Sequence, residues 1–319
     1  MLTSRRSCYF VVAALLALLH GPGVHAAKGI YRGVATDKWA GGCEDIKALS
    51  RMSWYYGWAL EPNIDLSQCD LGDRYVEFVP MIWGADSVDG FVAKLPKNTK
   101  HLLGFNEPNI PGQAVMTPLE AATQWKKVIA QLKEADLLGK IRLGTPSASP
   151  GGNPLDPVTW YRLADQRRLM IVMRRTRFTQ FFGNCTDCHF DFLCFHAYEC
   201  NVGGLNYWVG QMQTFGLPIW LTEFACPSDS GSVTIDDEVN YMQNALWSLD
   251  NNTQIERATN VGTLPSLFNA GAGSLTRVGT LYNSKGDALS ADSTPSAASA
   301  LAPGSAAAAL MAHLSSLLA

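Results

Sequence analysis

The sequence carries little charge, and that charge is nearly balanced. Charged residues make up 17% of the 319 residues, and 25 basic against 28 acidic residues leave a formal net charge of −3. Nucleic acids and anionic membranes are bound through clustered positive charge, so neither partner is predicted. The chain also lacks a Gly-x-Ser-x-Gly segment, a dinucleotide fingerprint, a phosphate-binding glycine loop and a metal-ligand cluster. We therefore predict no cofactor, no metal and no serine-nucleophile chemistry.

Long apolar segments are scarce, and the N-terminal one is too short to span a membrane. Arg5 and Arg6 precede the apolar run Cys8–Leu19, and a Gly-Pro-Gly turn follows it. The next residues, Val24–Ala26, have the small-x-small form of a signal-peptidase site. Residues 1–26 are thus predicted to be a secretory signal, which places the protein outside the cell, at the cell surface or in a cell wall.

The C-terminal end lacks the composition of a folded domain. Residues 286–319 are mostly serine, alanine and other small residues, which cannot bury a core. Small residues near Ser296–Ser299, a short spacer and the apolar end 306–319 fit a GPI-anchor signal. The alternative is a disordered tail. Membrane attachment is expected only through such an anchor, and residues 27–285 are predicted to form the folded domain.

Cysteine usage agrees with an oxidising compartment. Of the eight cysteines, Cys8 leaves with the signal, which leaves seven in the mature chain. Most of these should pair, with one unpaired or linked to another chain, and the connectivity stays open. Cys185 and Cys188 could also form half of a zinc site, although no second pair follows at zinc spacing.

Short apolar runs alternate with helical segments, which predicts a parallel sheet, and eight such runs predict a (β/α)₈ barrel. The clearest helix runs from Thr117 to Glu134, with a capping box at its start and Leu119, Ala122, Trp125, Ile129 and Leu132 on one face. The predicted strands are Tyr31–Ala35, Met52–Tyr55, Tyr75–Ile82, His101–Phe105, Ile141–Gly144, Phe192–His196, Ile219–Thr222 and a stretch that begins near Ile255.

Two of these strands end in a glutamate. Glu107 follows His101–Phe105, and Glu223 follows Ile219–Thr222. In an eight-stranded barrel both would open onto the carboxyl-terminal face, where such barrels carry their chemistry. Two carboxyl groups that flank one bond suit glycoside hydrolysis, and their separation decides between retention and inversion. We expect Glu223 to be ionised and Glu107 to be kept protonated by its surroundings.

Other polar and aromatic residues also lie at strand ends and are candidates for substrate binding. Asn106 could contact a sugar hydroxyl, and Tyr198 could hold the Glu223 carboxylate. Both could instead have only local structural roles, and the same holds for His196. Aromatic rings can stack on sugars or simply pack in the core. The remaining candidates at the strand ends are Trp58, Trp83 and Asp37. Each of these could bind substrate or have only a structural role.

Four segments carry a resemblance to a known family. Phe105–Asn109, Phe78–Gly84, Asp191–Tyr198 and Leu217–Ala225 resemble glycoside hydrolase family 128, over roughly residues 29–257. The resemblance implies a secreted β-1,3-glucanase that works by retaining double displacement. It implies the acid/base role for Glu107 and the nucleophile role for Glu223. It also supports Asn106, His196 and Tyr198 as neighbours of the reaction centre.

The chain departs from that family at three places. Ala197 stands where an aromatic residue is usual, and residues 163–177 form an arginine-rich insertion or a translated intron. After Arg257 the usual aromatic residues are missing, so we expect an irregular eighth strand with an exposed edge. Two alternatives remain open: action on another polysaccharide such as β-1,4-mannan, or a catalytically impaired glucan-binding wall protein. The protein is expected to be a monomer.

Overall fold

The structure of the protein is a computed structural model that describes residues 30–150, 156–161, 181–226, 233–261 and 267–284. The predicted signal, the insertion at 163–177 and the tail from 286 lie outside these ranges. Among the described helices, none combines the length and apolar character needed to cross a membrane.

Eight parallel strands form a closed ring. Six of them pair in the order β3-β2-β1-β8-β7-β6, and β4 pairs with β5. Bridges between Met81 and Leu103 and between Gly144 and Phe192 join the two groups at both seams. The (β/α)₈ barrel is thereby confirmed. The strands are β1 (Tyr31–Ala35), β2 (Trp54–Tyr56), β3 (Glu77–Phe78), β4 (His101–Leu102), β5 (Arg142–Leu143), β6 (Leu193–Tyr198), β7 (Ile219–Ala225) and β8 (Ile255–Val261).

Helices cover most of the ring, but the segments after β2 and β3 contain only 3₁₀ turns, at Leu66–Gln68, Ala85–Ser87 and Phe91–Lys94. One apolar cluster fills the barrel interior and a larger one lies between strands and helices. Within the described ranges the α-helices are α1 (Cys43–Ala48), α2 (Pro118–Glu134), α3 (Pro157–Tyr161), α4 (Phe181–Asn184), α5 (Val202–Gln213), α6 (Ile235–Asp250) and α7 (Arg277–Asn283).

Helix α2 begins as predicted. The Thr117 hydroxyl accepts from the Glu120 N–H, and the Glu120 carboxylate accepts from the Thr117 N–H. Its buried face is rotated from the predicted one, because Leu119 is 54% exposed and Ile129 is half-buried. The residues that pack inward are Ala121, Ala122, Trp125, Val128 and Leu132.

Strands β6 and β7 extend further than predicted. Both run past the expected ends His196 and Thr222, to Tyr198 and Ala225. Glu223 therefore lies inside β7 rather than just beyond it. The register between the two strands shifts at Phe195/His196, and the register between β7 and β8 shifts between Leu221 and Phe224. Such bulges re-aim side chains, and both occur next to the candidate catalytic residues.

The eighth strand is paired on both sides, so the expected exposed edge is wrong. β8 keeps a continuous register with β1 from Arg257 to Val261, and it also pairs with β7. Hydrogen bonds stabilise the carboxyl-terminal half of β8, where the aromatic side chains expected from the family are missing. The Asn260 amide donates to the Phe224 carbonyl at 3.0 Å, and the Tyr282 hydroxyl donates to the Gly33 carbonyl at 2.6 Å.

A buried charged cluster fastens β8 across the barrel interior. Arg257 donates to Glu77 on β3 at 2.8 Å, and His101 on β4 contacts the other oxygen of Glu77 at 2.5 Å. The Arg257 guanidinium also lies 4.1 Å from the centre of the Trp220 ring. Burial raises the pKa of Glu77, but the charge of Arg257 and the hydrogen bonds from His101 and Arg257 outweigh it and lower that pKa to about 2. The cluster links three strands.

Six of the seven cysteines among the described residues form disulfides, which agrees with the predicted oxidising compartment. The pairs are Cys43–Cys69, Cys185–Cys188 and Cys200–Cys226. Because Cys185 and Cys188 bond to each other, the half zinc site is wrong. Cys194 is the unpaired cysteine, and it is buried on β6.

Replacing Arg257 by Met should lower the free energy of unfolding by about 3–5 kcal/mol, because Glu77 stays buried without its cation. Urea denaturation would measure the change. The matched control is Arg277→Met, which removes an exposed pair with Asp236 and should have little effect. Equal losses in the two variants would contradict a stabilising role for the buried cluster.

Candidate active site

Glu107 is held in an unusual backbone conformation at the carboxyl end of the β4 segment. Its φ is 42°, in the left-handed region that non-glycine residues rarely adopt. The proline at 108 disfavours the right-handed helical region for the residue before it. The Glu107 N–H donates to the Ser147 carbonyl at 2.9 Å, and the residue is only 8% exposed. These contacts fix the carboxylate at the barrel mouth.

Glu223 receives three hydrogen bonds from aromatic side chains. The Tyr56 hydroxyl and the Trp58 indole N–H each donate to Oε1 at 2.8 Å, and the Tyr198 hydroxyl donates to Oε2. The residue is 5% exposed. Hydrogen bonds to an ionised carboxylate are stronger than neutral ones, so this arrangement suits an oriented anion. The predicted contact from Tyr198 is present.

His196 lies between the two glutamates and is fully buried. Its Nδ1 is 2.8 Å from Glu107 Oε1, and its Nε2 is 3.3 Å from Glu223 Oε1. One side-chain atom from each of the three residues lies within 4.8 Å of the other two. The structure therefore brings together Glu107, Glu223, His196 and Tyr198, which the sequence placed at the ends of three different strands.

The charges of the three residues are coupled. Burial lowers the pKa of His196, but the charge of Glu223 and the hydrogen bond and charge of Glu107 outweigh it and raise that pKa. Burial raises the pKa of Glu107, yet the bond and charge of His196 and a bond from Ser149 lower it overall. The expectation that its surroundings keep Glu107 protonated is thus wrong for the free enzyme. The lowered pKa of Glu107 and the raised pKa of His196 both favour a proton on His196 over one on Glu107.

The two tyrosines at the site remain protonated donors. Burial is the main cause that raises the pKa of Tyr56 and of Tyr198, and the negative charge of Glu223 raises both further. A phenol that cannot ionise next to a carboxylate donates its proton in a hydrogen bond. Tyr56 and Tyr198 therefore hold the Glu223 carboxylate from two sides.

The spacing of Glu107, His196 and Glu223 would also permit a metal ion. A histidine ligand must be neutral to offer a lone pair. Both ring nitrogens of His196 face carboxylates, and its raised pKa favours the protonated form. The three residues fit proton sharing better than metal binding, and the absence of a metal stays a prediction.

Asn106 is buried next to Glu107, with one half of its amide committed. Its Nδ2 donates to Gln113 Oε1 at 3.1 Å, whereas Oδ1 has no partner among the described residues. A buried acceptor without a partner carries a free-energy cost, which a ligand hydroxyl could remove. The Asn106 atom without a partner is thus an acceptor.

The three remaining candidates lie at different distances from the reaction centre. Trp58 is in it, through its bond to Glu223. Trp83 is half-buried, and its carbonyl accepts from the Asn106 N–H at 2.8 Å. Asp37 is exposed and lines a cavity of about 210 Å³ with Trp39 and Phe268. No contact joins Asp37 to either glutamate in the described part of the chain, so its binding role remains a prediction.

Sequence reasoning missed Tyr56, Ser147 and Ser149. Tyr56 lies two residues after the inward-facing Trp54, so period-two alternation could have placed it on the inner face. Ser147 and Ser149 follow β5, where the polar sequence Thr-Pro-Ser-Ala-Ser gave a weak signal. Backbone geometry gives a further marker. Among described residues, the non-glycine positions with positive φ are Trp58, Glu107 and Asp136, and two of these three touch this site.

Comparison with known proteins agrees with this geometry. A family model described as the glycosyl hydrolase catalytic core matches residues 33–282, a span that holds both glutamates and His196. The chain belongs to the glycosyl hydrolase catalytic core family. It is a glycosidase, as the paired carboxylates predicted.

Solved structures confirm the likeness to glycoside hydrolase family 128. A subgroup II endo-β-1,3-glucanase from Sorangium cellulosum is 26% identical, with a TM-score of 0.62 over 81% of this glycosidase and 99% of that chain. A subgroup III curdlan-specific exo-β-1,3-glucanase from Blastomyces gilchristii is 27% identical, with a TM-score of 0.58 over 79% and 97%. A subgroup I enzyme from Amycolatopsis mediterranei, solved as a variant with laminaripentaose, is 24% identical and shows the same fold, with a TM-score of 0.62 over 81% and 100%.

A curated relative is longer than this glycosidase. Alkali-sensitive linkage protein 1 of Schizosaccharomyces pombe is 28% identical over 245 residues, which are 72% of this chain and 40% of the relative. The glycosidase thus spans less than half of the length of that relative.

Replacing Glu107 by Gln should lower the pKa of His196, because the substitution removes a negative charge that opposes the effect of burial. A ¹⁵N NMR titration of the histidine rings would measure the change. The exposed His189, which pairs with Asp191, should titrate unchanged and serves as the internal control. An unaltered pKa for His196 in this variant would contradict the coupling.

Proposed function

We propose that this glycosidase hydrolyses β-1,3-glucan by double displacement with retention of configuration. The observation that carries the mechanism is the separation of the carboxylates, since an oxygen of Glu107 lies within 4.8 Å of an oxygen of Glu223. Retaining glycosidases hold their two carboxyl groups about 5–5.5 Å apart, whereas inverting enzymes leave room for a water between them. The close spacing favours a covalent glycosyl-enzyme.

In the proposed reaction, Glu223 attacks the anomeric carbon and Glu107 protonates the departing oxygen. The proton that Glu107 needs is supplied along the 2.8 Å contact with Nδ1 of His196. Once the leaving group is protonated, Glu107 is an anion again and can accept a proton from the attacking water. Water then releases the sugar, and Glu223 returns to its three hydrogen bonds with Tyr56, Trp58 and Tyr198.

Support for the substrate comes from the similar structures, which are endo- and exo-β-1,3-glucanases, some with laminari-oligosaccharides bound. Within the proposal, Asn106 accepts from a sugar hydroxyl through its free oxygen, and Trp58 and Trp83 form the walls of the cleft. Asp37 would contact a sugar unit of the glucan further from the cleaved bond. The predicted signal and the three disulfides support a secreted, cell-surface or cell-wall location.

Replacing Glu223 by Gln should lower kcat on laminarin by more than about 1000-fold, because the nucleophile of the covalent pathway is lost. Circular dichroism should show an unchanged fold. Release of reducing sugar from laminarin, measured beside β-1,4-mannan, would test the rate and the substrate together. The matched control is Glu134→Gln at the exposed end of α2.

Near-normal laminarin activity in the Glu223→Gln variant would remove the assignment of the nucleophile. Activity of the natural protein on mannan but not on laminarin would overturn the substrate. ¹H NMR of the first product should show the β-anomer, and an α-anomer would exclude retention.

Replacing His196 by Asn should move the alkaline limb of the pH profile of kcat/KM to lower pH. The raised pKa of His196 means that the Glu107–His196 pair keeps its proton above the usual histidine range. Without the imidazole the proton rests on Glu107 alone, whose carboxyl has a lower intrinsic pKa, so it is lost at lower pH. We expect a shift of at least about one pH unit.

The matched control is His189→Asn, which alters an exposed histidine away from the site and should leave the profile in place. An alkaline limb that stays unchanged in the His196 variant would show that this residue does not hold the shared proton.

A further inference from the structure

Two neighbouring outer helices carry no charged residue along most of their length. Helix α5 (Val202–Gln213) contains no Asp, Glu, Lys or Arg. In α6 the charged residues are confined to the first turn and to Asp250, which pairs with Arg32. Surface helices of soluble proteins normally carry charged residues on their outer side. The absence of charge here therefore points to a specific partner that is itself uncharged.

The same surface exposes two large aromatic side chains. Trp247 on α6 is 71% exposed and Tyr207 on α5 is 59% exposed. The two helices are joined between these rings, since the Ser248 hydroxyl donates to the Asn206 amide oxygen at 2.5 Å. Each ring thus lies one residue from the contact that fixes the helices side by side. Both exposed rings therefore lie on the outer side of this helix pair, next in sequence to the residues that join it.

Amide side chains continue this face along α6. Asn240, Asn244, Trp247 and Asn251 follow one another at intervals of three and four residues, which places them on one side of the helix. The side-chain amides of Asn244 and Asn251 donate to the backbone carbonyls of Asn240 and Trp247, at 2.8 and 2.7 Å. Their carbonyl oxygens are left to accept from an outside donor. We call Tyr207, Asn240, Asn244, Trp247 and Asn251 the aromatic–amide face.

The Tyr207 ring is accessible on one side and packed against a neighbouring ring on the other. A Cβ built on Gly210, three residues after Tyr207, would meet no atom within 4 Å, so the helix surface beside the Tyr207 ring is open. Tyr207 packs edge-on against Trp208 at 5.0 Å, and the Trp208 indole donates to Glu199 at 3.0 Å. Tyr207 is therefore held in place before any ligand arrives, which lowers the entropic cost of binding.

We propose that the aromatic–amide face is a second carbohydrate-binding site, separate from the cleavage site, that holds a neutral polysaccharide chain. Flat rings cover the apolar faces of sugar units, and the amide oxygens accept from their hydroxyl groups. An uncharged polymer gains nothing from ionic groups, which accounts for their absence. The identity of the polymer as β-1,3-glucan rests on the proposed function.

The test measures binding to insoluble β-1,3-glucan particles in the catalytically blocked Glu223→Gln protein. Adding Tyr207→Ala and Trp247→Ala should weaken binding by at least about tenfold. Adding Leu119→Ala, which removes a side chain that is 54% exposed on α2, is the matched control and should not. In otherwise natural protein, the double variant should hydrolyse soluble laminaripentaose at an unchanged kcat/KM and insoluble glucan more slowly.

Unchanged particle binding in the double variant, with an unchanged melting temperature, would overturn the second site. Sedimentation velocity distinguishes a protein occupant, because self-association that is lost with Trp247 would show that the face binds a second copy. The proposed function fails separately. A protein that hydrolyses no β-1,3-glucan, yet binds insoluble polysaccharide through Trp247, would refute the first proposal and leave this one standing.

Discussion

The imidazole of His196 allows two carboxylates to share a buried site. Without a cation between them, the negative charges of Glu107 and Glu223 would repel and one would take up a proton. The raised pKa of His196 favours a cation there, with Nδ1 2.8 Å from Glu107 and Nε2 3.3 Å from Glu223. A register shift at Phe195/His196 in β6 accompanies this placement of the ring. The register shift in β6 thus occurs at the residue whose side chain lies between the two carboxylates.

The barrel contains a second histidine–carboxylate pair, and the difference between the two is instructive. Arg257 pairs with Glu77, and it lies 3.4 Å from Nδ1 of His101. Burial and the charge of Arg257 lower the pKa of His101 to about 4. His101 is thus neutral and structural, because a permanent cation already neutralises the glutamate. No arginine contacts Glu107 or Glu223 among the described residues, and there His196 itself takes the charge. Of the two pairs, we expect only Glu107–His196 to release a proton during the reaction.

Much of the fold follows from local sequence, whereas the site depends on contacts between distant strands. All eight strands were predicted, seven of them from short apolar runs bounded by breakers and the eighth only by its start near Ile255. Their ends were not, since pairing with neighbours extends β6 as far as Tyr198 and β7 past Glu223 to Ala225. The eighth strand looked irregular because its aromatic residues are missing, yet Arg257 closes it from the interior. Tyr56 was missed because its hydroxyl meets Glu223 only after the ring has closed.

The charged groups that serve the reaction lie inside the barrel, whereas the groups proposed to bind the substrate are uncharged. Inside the barrel, charges act across short distances in a medium of low dielectric constant, where they are strong enough to position protons. A neutral glucan offers no charge to attract, so recognition must come from rings and from amide oxygens. Asn106 provides such an oxygen beside Glu107, and Asn244 and Asn251 provide them next to Trp247. A protein with balanced and sparse charge outside and a concentrated charged network inside is therefore what a neutral substrate requires.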